Sequence, residues 1–169
     1  MENKIDLRVK AKNIRKGLDM ENISRKLCEN IRNLDEYKKA KHVLIFYPLE
    51  NEVDTLDLIS EDKNFYLPRI KYEDLEICPY KLGDELNSSS FKTKEPLTTP
   101  VSPEILDIII VPALMADKNN YRLGYGKGFY DRLLLQTSAT TILPIPKELV
   151  IEKLSIDSHD KKVDIVMTI

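Results

Sequence analysis

Ile108-Ile109-Ile110-Val111 is a run of four β-branched residues that ends at Pro112. A strand with one face in water alternates apolar and polar side chains, whereas a strand that is apolar at every position has both faces covered. Such a strand belongs inside a sheet with helices packed above and below it, and parallel pairing with helical crossovers supplies that arrangement. Val43-Leu44-Ile45-Phe46-Tyr47, closed by Pro48, is a second run of the same kind. Phe65-Tyr66-Leu67 reads as a third strand stopped by Pro68. Ile77-Cys78-Pro79-Tyr80 is weaker, and Pro79, which cannot donate to a ladder, predicts a peripheral position. Ile142-Leu143 and 163–167 supply two more strands. The stretch from Ser88 to Pro103 holds three prolines among many Ser and Thr and reads as an irregular connection.

Between and before these strands the period is helical. Leu7, Ala11, Ile14 and Leu18 form one apolar stripe, with Lys4, Arg8, Lys12 and Arg15 forming a basic stripe beside it. Gly17-Leu18-Asp19 breaks this helix, and Asp19 is placed to cap the next, whose stripe is Ile23, Leu27, Ile31 and Leu34. Asp54 or Thr55 is placed to cap a short helix through Ile59. Further helices are expected from Phe129 to Leu135 and from 147 to 151. Strands alternating with helices give the α/β class, as one layered domain with a mainly parallel sheet flanked by helices. A chain of 169 residues is long enough to bury about 70% of its unfolded surface in one core.

The formal net charge of −2 excludes broad nucleic-acid binding, which needs a basic excess. Cys28 and Cys78 are too few and too far apart for a disulfide framework or a thiolate zinc site, and are expected as small buried hydrophobes. No apolar run approaches the roughly 18–20 residues that span a bilayer, so no membrane role is expected. Met1-Glu2-Asn3-Lys4 lacks the apolar core of a signal peptide, and a cytoplasmic monomer is the expectation.

The chemistry concentrates at 117–131, D-K-N-N-Y-R-L-G-Y-G-K-G-F-Y-D. Gly124, Gly126 and Gly128 let backbone approach a ligand, and their N–H groups sit just before a helix, where they can cradle an anion. Arg122 and Lys127 add positive charge, and Asp131 adds a carboxylate suited to a divalent cation on phosphate. The loop fits neither the P-loop nor the dinucleotide pattern. By residue type alone it is also compatible with a tight turn and nothing more.

The string from Tyr121 to Asp131, preceded by Val111-Pro112-Ala113-Leu114 and Asp117, resembles the signature of the 5-formyltetrahydrofolate cyclo-ligases. Further pieces agree in order: Lys4 with Leu7-Arg8, Tyr47-Pro48-Leu49 with Glu52-Val53-Asp54-Thr55, Leu67-Pro68-Arg69, Glu95-Pro96, and His159-Asp160 with Val163-Asp164. The resemblance spans nearly the whole chain. It implies a Rossmann-like three-layer fold with ligands at the carboxyl ends of the strands, where the loops after Tyr47 and Val111 meet. It implies Mg²⁺- and ATP-dependent cyclisation of 5-formyltetrahydrofolate to 5,10-methenyltetrahydrofolate, through phosphorylation of the formyl oxygen and attack by N10. By resemblance, Lys4, Arg8 and the loop residues Arg122, Gly124, Tyr125, Gly126, Lys127, Gly128, Phe129 and Tyr130 bind ATP. Tyr47 and Glu52 contact the folate, together with Tyr125 to Phe129. Asp131 and Asp160 hold Mg²⁺, and Lys127 and Arg122 carry the catalytic charge.

By spacing alone the basic stripe is a solvated helix face. The resemblance assigns a function to Lys4 and Arg8 and leaves Lys12 and Arg15 in solvent. Asp131 by position is also an ordinary first-turn helix acid. His42 has no evident partner, and His159 is expected to orient its turn. Ala113, Ala116 and Asn120 stand where the family has Gly, Phe and Gly; Asn tolerates the left-handed conformation better than most residues. The stretch from Gln136 to Ser155 departs further, with Leu149 in place of a glutamine, and predicts an altered wall of the nucleotide pocket. That departure motivates a rival expectation, a non-catalytic relative that binds folate or nucleotide. A weaker rival is an unrelated kinase or ligase using the same ATP loop.

Overall fold

The computed structural model describes residues 1–169. Helices α1 (Lys4–Lys16), α2 (Met20–Arg32) and α3 (Asp35–Lys39) precede β1 (His42–Leu44), β2 (Asn64–Lys71) and β3 (Asp74–Tyr80). Then come β4 (Leu86–Ser88), β5 (Lys94–Pro96), β6 (Ile108–Ile110), β7 (Met115–Asp117) and β8 (Arg122–Leu123). Helix α4 (Phe129–Leu133) is followed by β9 (Thr140–Pro144), β10 (Val150–Ile151) and β11 (Ile165–Met167). No helix is long and apolar enough to cross a membrane.

The main sheet has six strands in the order β11-β9-β6-β1-β2-β3. Every neighbouring pair is parallel except β2 with β3. β6 and β1 lie at its centre, as continuous apolar runs require. Alternate residues serve opposite faces. Leu44 and Ile109 belong to a core with Leu7 and Ala11 of α1 and Leu133 of α4. Val43, Ile45, Ile108 and Ile110 belong to a second core with Cys28 and Ile31 of α2 and Tyr37 of α3. The result is helix, sheet, helix: the expected three layers around a mainly parallel sheet.

The local signals at the helix ends act as expected. Gly17 closes α1 and Asp19 accepts from the Asn22 N–H to open α2; the structure adds a cap not marked in the sequence, Asn3, which accepts from the Asp6 N–H at the start of α1. Asp54 accepts from the Leu56 N–H at the head of a short 3-10 helix, Leu56–Ser60. Pro79 lies on β3, the sheet edge. Both cysteines are free and buried.

Four expectations change. The helix expected from 147 to 151 is a single 3-10 turn, Lys147–Leu149, after which Val150–Ile151 pairs with β7 as β10. Pro68 does not stop β2, which runs on to Lys71. β1 pairs only with Asn64–Tyr66, so beyond Tyr66 that side of β2 is released from the ladder and tolerates a proline. The stretch from Ser88 to Pro103 is not wholly irregular, because Lys94–Pro96 pairs with Leu86–Ser88 as a two-stranded ribbon. Neither strand alternates, so no periodic signal marks it. His42 does have a partner: its Nδ1 lies 2.7 Å from the Tyr66 hydroxyl across the β1–β2 pair. A small second sheet, β10-β7-β8, carries the chain from the end of β6 into the glycine loop.

Candidate active site

The chain leaving β1 and β6 at their carboxyl ends opens a cavity of about 370 Å³. Phe46, Tyr47, Leu49 and Glu52 line it from the first exit and Pro112 from the second. Lys4 and Arg8 of α1, the glycine loop with the head of α4, the β4–β5 ribbon, and the turn around Asp160 complete the wall. Every site residue expected from the sequence lies on this one wall.

The glycine loop is held at its base by Asp117. This carboxylate is 1% exposed and accepts from the N–H groups of Asn119 and Tyr121 on one oxygen and of Leu154 on the other. Asn120 turns the chain with φ +68°, as its tolerance for the left-handed region allows. β7 and β8 then pair, delivering Arg122 to the cavity. Arg8 of α1 donates from Nε to the Gly124 carbonyl at 2.9 Å. Its guanidinium underlies Gly126, where φ is +101° and an added Cβ would sit 3.4 Å from the Arg8 carbon. Gly126 thus serves both a left-handed turn and a close approach.

Arg122 is the most strained charge in the wall. Its side chain is 5% exposed, its only carboxylate partner is Asp131 at 3.5 Å, and its Nε has no partner. Burial lowers its pKa, opposed by the charges of Asp131, Tyr130 and Asp160. The guanidinium also lies 5.5 Å from the Tyr130 ring centroid. A buried cation so thinly compensated is suited to accept an anion as a further partner. Lys127, exposed on the same loop, holds its ammonium 5.9 Å from the Phe91 ring centroid. Phe91, on the ribbon, meets Phe129 edge to face at 5.9 Å.

The acids of the wall fall into two groups. The Asp157 and Asp160 carboxylates and the His159 ring bring their ligand atoms within 4.8 Å of one another. Lys4 sits on this group, 2.8 Å from Asp160 and 2.9 Å from Asp157. Burial pushes Asp160 up, but hydrogen bonds from Lys4 and the Asp157 N–H hold it below the usual carboxylate range. Two carboxylates already gathered around a cation, beside further cations for phosphate, fit a hard divalent ion such as Mg²⁺. Asp131 stands outside that group, facing Arg122 and accepting from the Lys161 N–H at 3.2 Å.

Glu52 is 7% exposed. A turn with Asn51 at φ +61° brings it back over Leu49, whose N–H donates to one carboxylate oxygen at 2.8 Å. The Tyr125 hydroxyl donates to the other at 2.9 Å. Burial raises the Glu52 pKa above the usual carboxylate range; the bonds from the Leu49 N–H and the Tyr125 hydroxyl, and then the Arg15 charge, oppose that rise without cancelling it. Burial and the Glu52 charge push Tyr125 up to about 12.

Arg15 departs from the solvated position expected of the basic stripe. It is not solvated: it is 4% exposed and donates to the Tyr125 hydroxyl and the Ala113 carbonyl. The signal was present, since Leu7, Ala11 and Arg15 form one buried i, i+4, i+8 row. Phe91, Thr93, Glu95 and Asp157 also line the cavity, although no sequence motif assigns them a site role. They sit on the unrecognised ribbon and on an exposed turn. The divergent stretch from Gln136 to Ser155 lines no part of the cavity, so the expected change in its wall does not occur. That stretch instead builds β9 inside the sheet, and Leu149 is fully buried in the α1-side core.

Residues 1–169 match the model of the 5-formyltetrahydrofolate cyclo-ligase family. The structure superposes on that of 5,10-methenyltetrahydrofolate synthetase from Aquifex aeolicus with a TM-score of 0.85, 32% identity, and coverage of 98% of this chain and 89% of that one. The Escherichia coli 5-formyltetrahydrofolate cyclo-ligase is 30% identical over 144 residues, 76% of this chain and 78% of that protein. The Mus musculus 5-formyltetrahydrofolate cyclo-ligase is 27% identical over 161 residues, 83% of this chain and 79% of that protein.

Proposed function

The chain belongs to the 5-formyltetrahydrofolate cyclo-ligase family, and on that premise we propose that it converts 5-formyltetrahydrofolate to 5,10-methenyltetrahydrofolate with ATP and Mg²⁺. MgATP supplies the phosphoryl group that makes the formyl oxygen a leaving group; closure by N10 then releases phosphate, with ADP as the other product. The residues of the wall divide this work by their chemistry.

Lys4, Arg8 and the backbone of the loop from Gly124 to Gly128 hold the polyphosphate, with Phe129 and Tyr130 at the loop's helical end. Asp160, with Asp157 beside it, and Asp131 from across the wall would hold Mg²⁺, which would supply charge neutralisation for the phosphates. Lys127 and Arg122 neutralise the charge that develops as the phosphoryl group moves, the dominant requirement of phosphoryl transfer. Tyr47, Glu52 and the segment Tyr125 to Phe129 hold the folate. No side chain is needed as a nucleophile, which agrees with a wall of Lys, Arg, Asp and Gly.

One observation carries this reading: the buried Arg122 guanidinium, with its distant carboxylate and unpaired Nε, inside a cavity that also gathers Lys4, Arg8 and Lys127. The test is the absorbance of the methenyl product in a mixture of purified protein, 5-formyltetrahydrofolate, ATP and Mg²⁺. A rise that disappears when either ATP or Mg²⁺ is omitted is expected. Folded protein that binds the folate yet gives no rise would overturn the reading.

A further inference from the structure

Arg15 is the one buried cation of α1, and it does not touch the cavity. Its guanidinium donates to the Tyr125 hydroxyl at 3.0 Å and to the Ala113 carbonyl. The hydroxyl has a single proton, which it gives to Glu52 at 2.9 Å. Arg15, Tyr125 and Glu52 therefore form a directed chain that ends on a carboxylate in the cavity wall. A hydroxyl that accepts from a guanidinium is polarised and becomes a stronger donor to the carboxylate beyond it. The other group bonded to Glu52 is the neutral N–H of Leu49. The charged or titratable side chains facing Glu52 are Arg15 from α1, Tyr125 from the glycine loop and Tyr130 from α4. Arg15 is the only cation among them. Without it, a carboxylate 7% exposed has no opposite charge to offset its desolvation.

We propose that Arg15 is a positioning residue for the cyclisation: through the Tyr125 hydroxyl it keeps the Glu52 carboxylate ionised and fixed in the cavity wall. The inference rests on the reading of this cavity as the folate site. Each Glu52 oxygen already accepts one hydrogen bond and keeps a lone pair for another. An ionised Glu52 can therefore accept from the N–H edge of the substrate's pteridine ring, whereas a protonated one loses half of that capacity.

The test uses the whole protein and three variants, Arg15→Met, Arg15→Lys and Tyr125→Phe. The first readout is the titration of the Glu52 carboxyl by carbon-detected NMR, without folate or nucleotide. The midpoint should rise by about one pH unit or more in Arg15→Met and in Tyr125→Phe, and return most of the way in Arg15→Lys. The second readout is the pH profile of the KM for 5-formyltetrahydrofolate. Arg15→Met should raise it several-fold on the acid side of the Glu52 midpoint found in the first readout, with recovery as the pH rises past that midpoint, while the KM for ATP stays flat. An unchanged Glu52 midpoint, or a loss equal at every pH and not restored by lysine, would overturn the role of Arg15. Wild-type protein that fails to cyclise the folate would reject the functional reading, and leaves the titration to judge Arg15 separately. Should Arg15→Met fail to fold, Tyr125→Phe keeps the bond to Ala113 and gives the same titration.

Discussion

The two ends of α1 carry the same charge and use it in opposite ways. At the amino end Lys4 and Arg8 are half-buried on the cavity wall, held by carboxylates of the tail and by one carbonyl of the glycine loop. These partners can be exchanged for phosphate at little cost, because both cations keep contact with water. At the carboxyl end Arg15 is sealed between Ala113 and Tyr125 and is spent on protein groups. A cation meant for a ligand must be reachable, and a cation meant to hold a neighbour must be desolvated. Burial, rather than residue type or spacing, separates the two uses.

The widest separation is expected from the loop that faces the amino end. Lys127→Ala should lower kcat/KM by at least about 100-fold, the scale of one lost transition-state contact, with the thermal midpoint unchanged. Steady-state rates beside a melting curve decide this. Arg15→Met should reverse the balance, costing about 2–3 kcal/mol of stability by stripping a hydrogen bond from the buried Ala113 carbonyl and from Tyr125. In a chain of this size that lowers the midpoint by on the order of 8 °C, read by calorimetry. An Arg15→Met protein that melts like wild type would erase the distinction between the two ends.

Gly126→Ala tests the contact between α1 and the loop. Its φ of +101° and the Arg8 guanidinium beneath it predict a loss of about 1–2 kcal/mol and a clear rise in the KM for ATP. The smallest effect belongs to Lys4→Met, at most about 1 kcal/mol, because the pair with Asp160 is partly exposed. Its pH dependence is the sharper signature. Burial opposes both charges, yet their mutual bonds lower Asp160 and raise Lys4. The carboxylate's share is present above the unfolded carboxyl value of about 4 and is lost as pH falls through the lowered one; the ammonium's share is lost as pH rises through the raised lysine value. The stability difference between wild type and Lys4→Met should therefore be flat between about pH 4 and pH 10 and vanish at both ends.

Much of this was legible without coordinates. Continuous apolar runs at 43–47 and 108–111 announced strands covered on both faces, and they became neighbours at the centre of the sheet. Gly17, Asp19 and Pro79 marked ends and edges by chemistry that acts within a residue or two. The loop from Arg122 to Asp131 declared a site because its glycines, cations and acid are adjacent in sequence. The ribbon that brings Phe91 and Glu95 to the cavity was hidden, since short polar strands have no period to read. The divergent tail segment looked threatening in sequence and proved to be core and sheet.

The sequence by itself therefore determined the layers of this protein and the chemistry of its central loop, because hydrophobic period and local backbone preference act over a few residues. Tertiary structure alone decided what each charge does. Arg15 meets Tyr125 across 110 positions of chain and Lys4 meets Asp160 across 156. Whether a cation is left in water for a ligand or desolvated against a hydroxyl depends on which distant loop closes over it, and spacing along one helix holds no record of that.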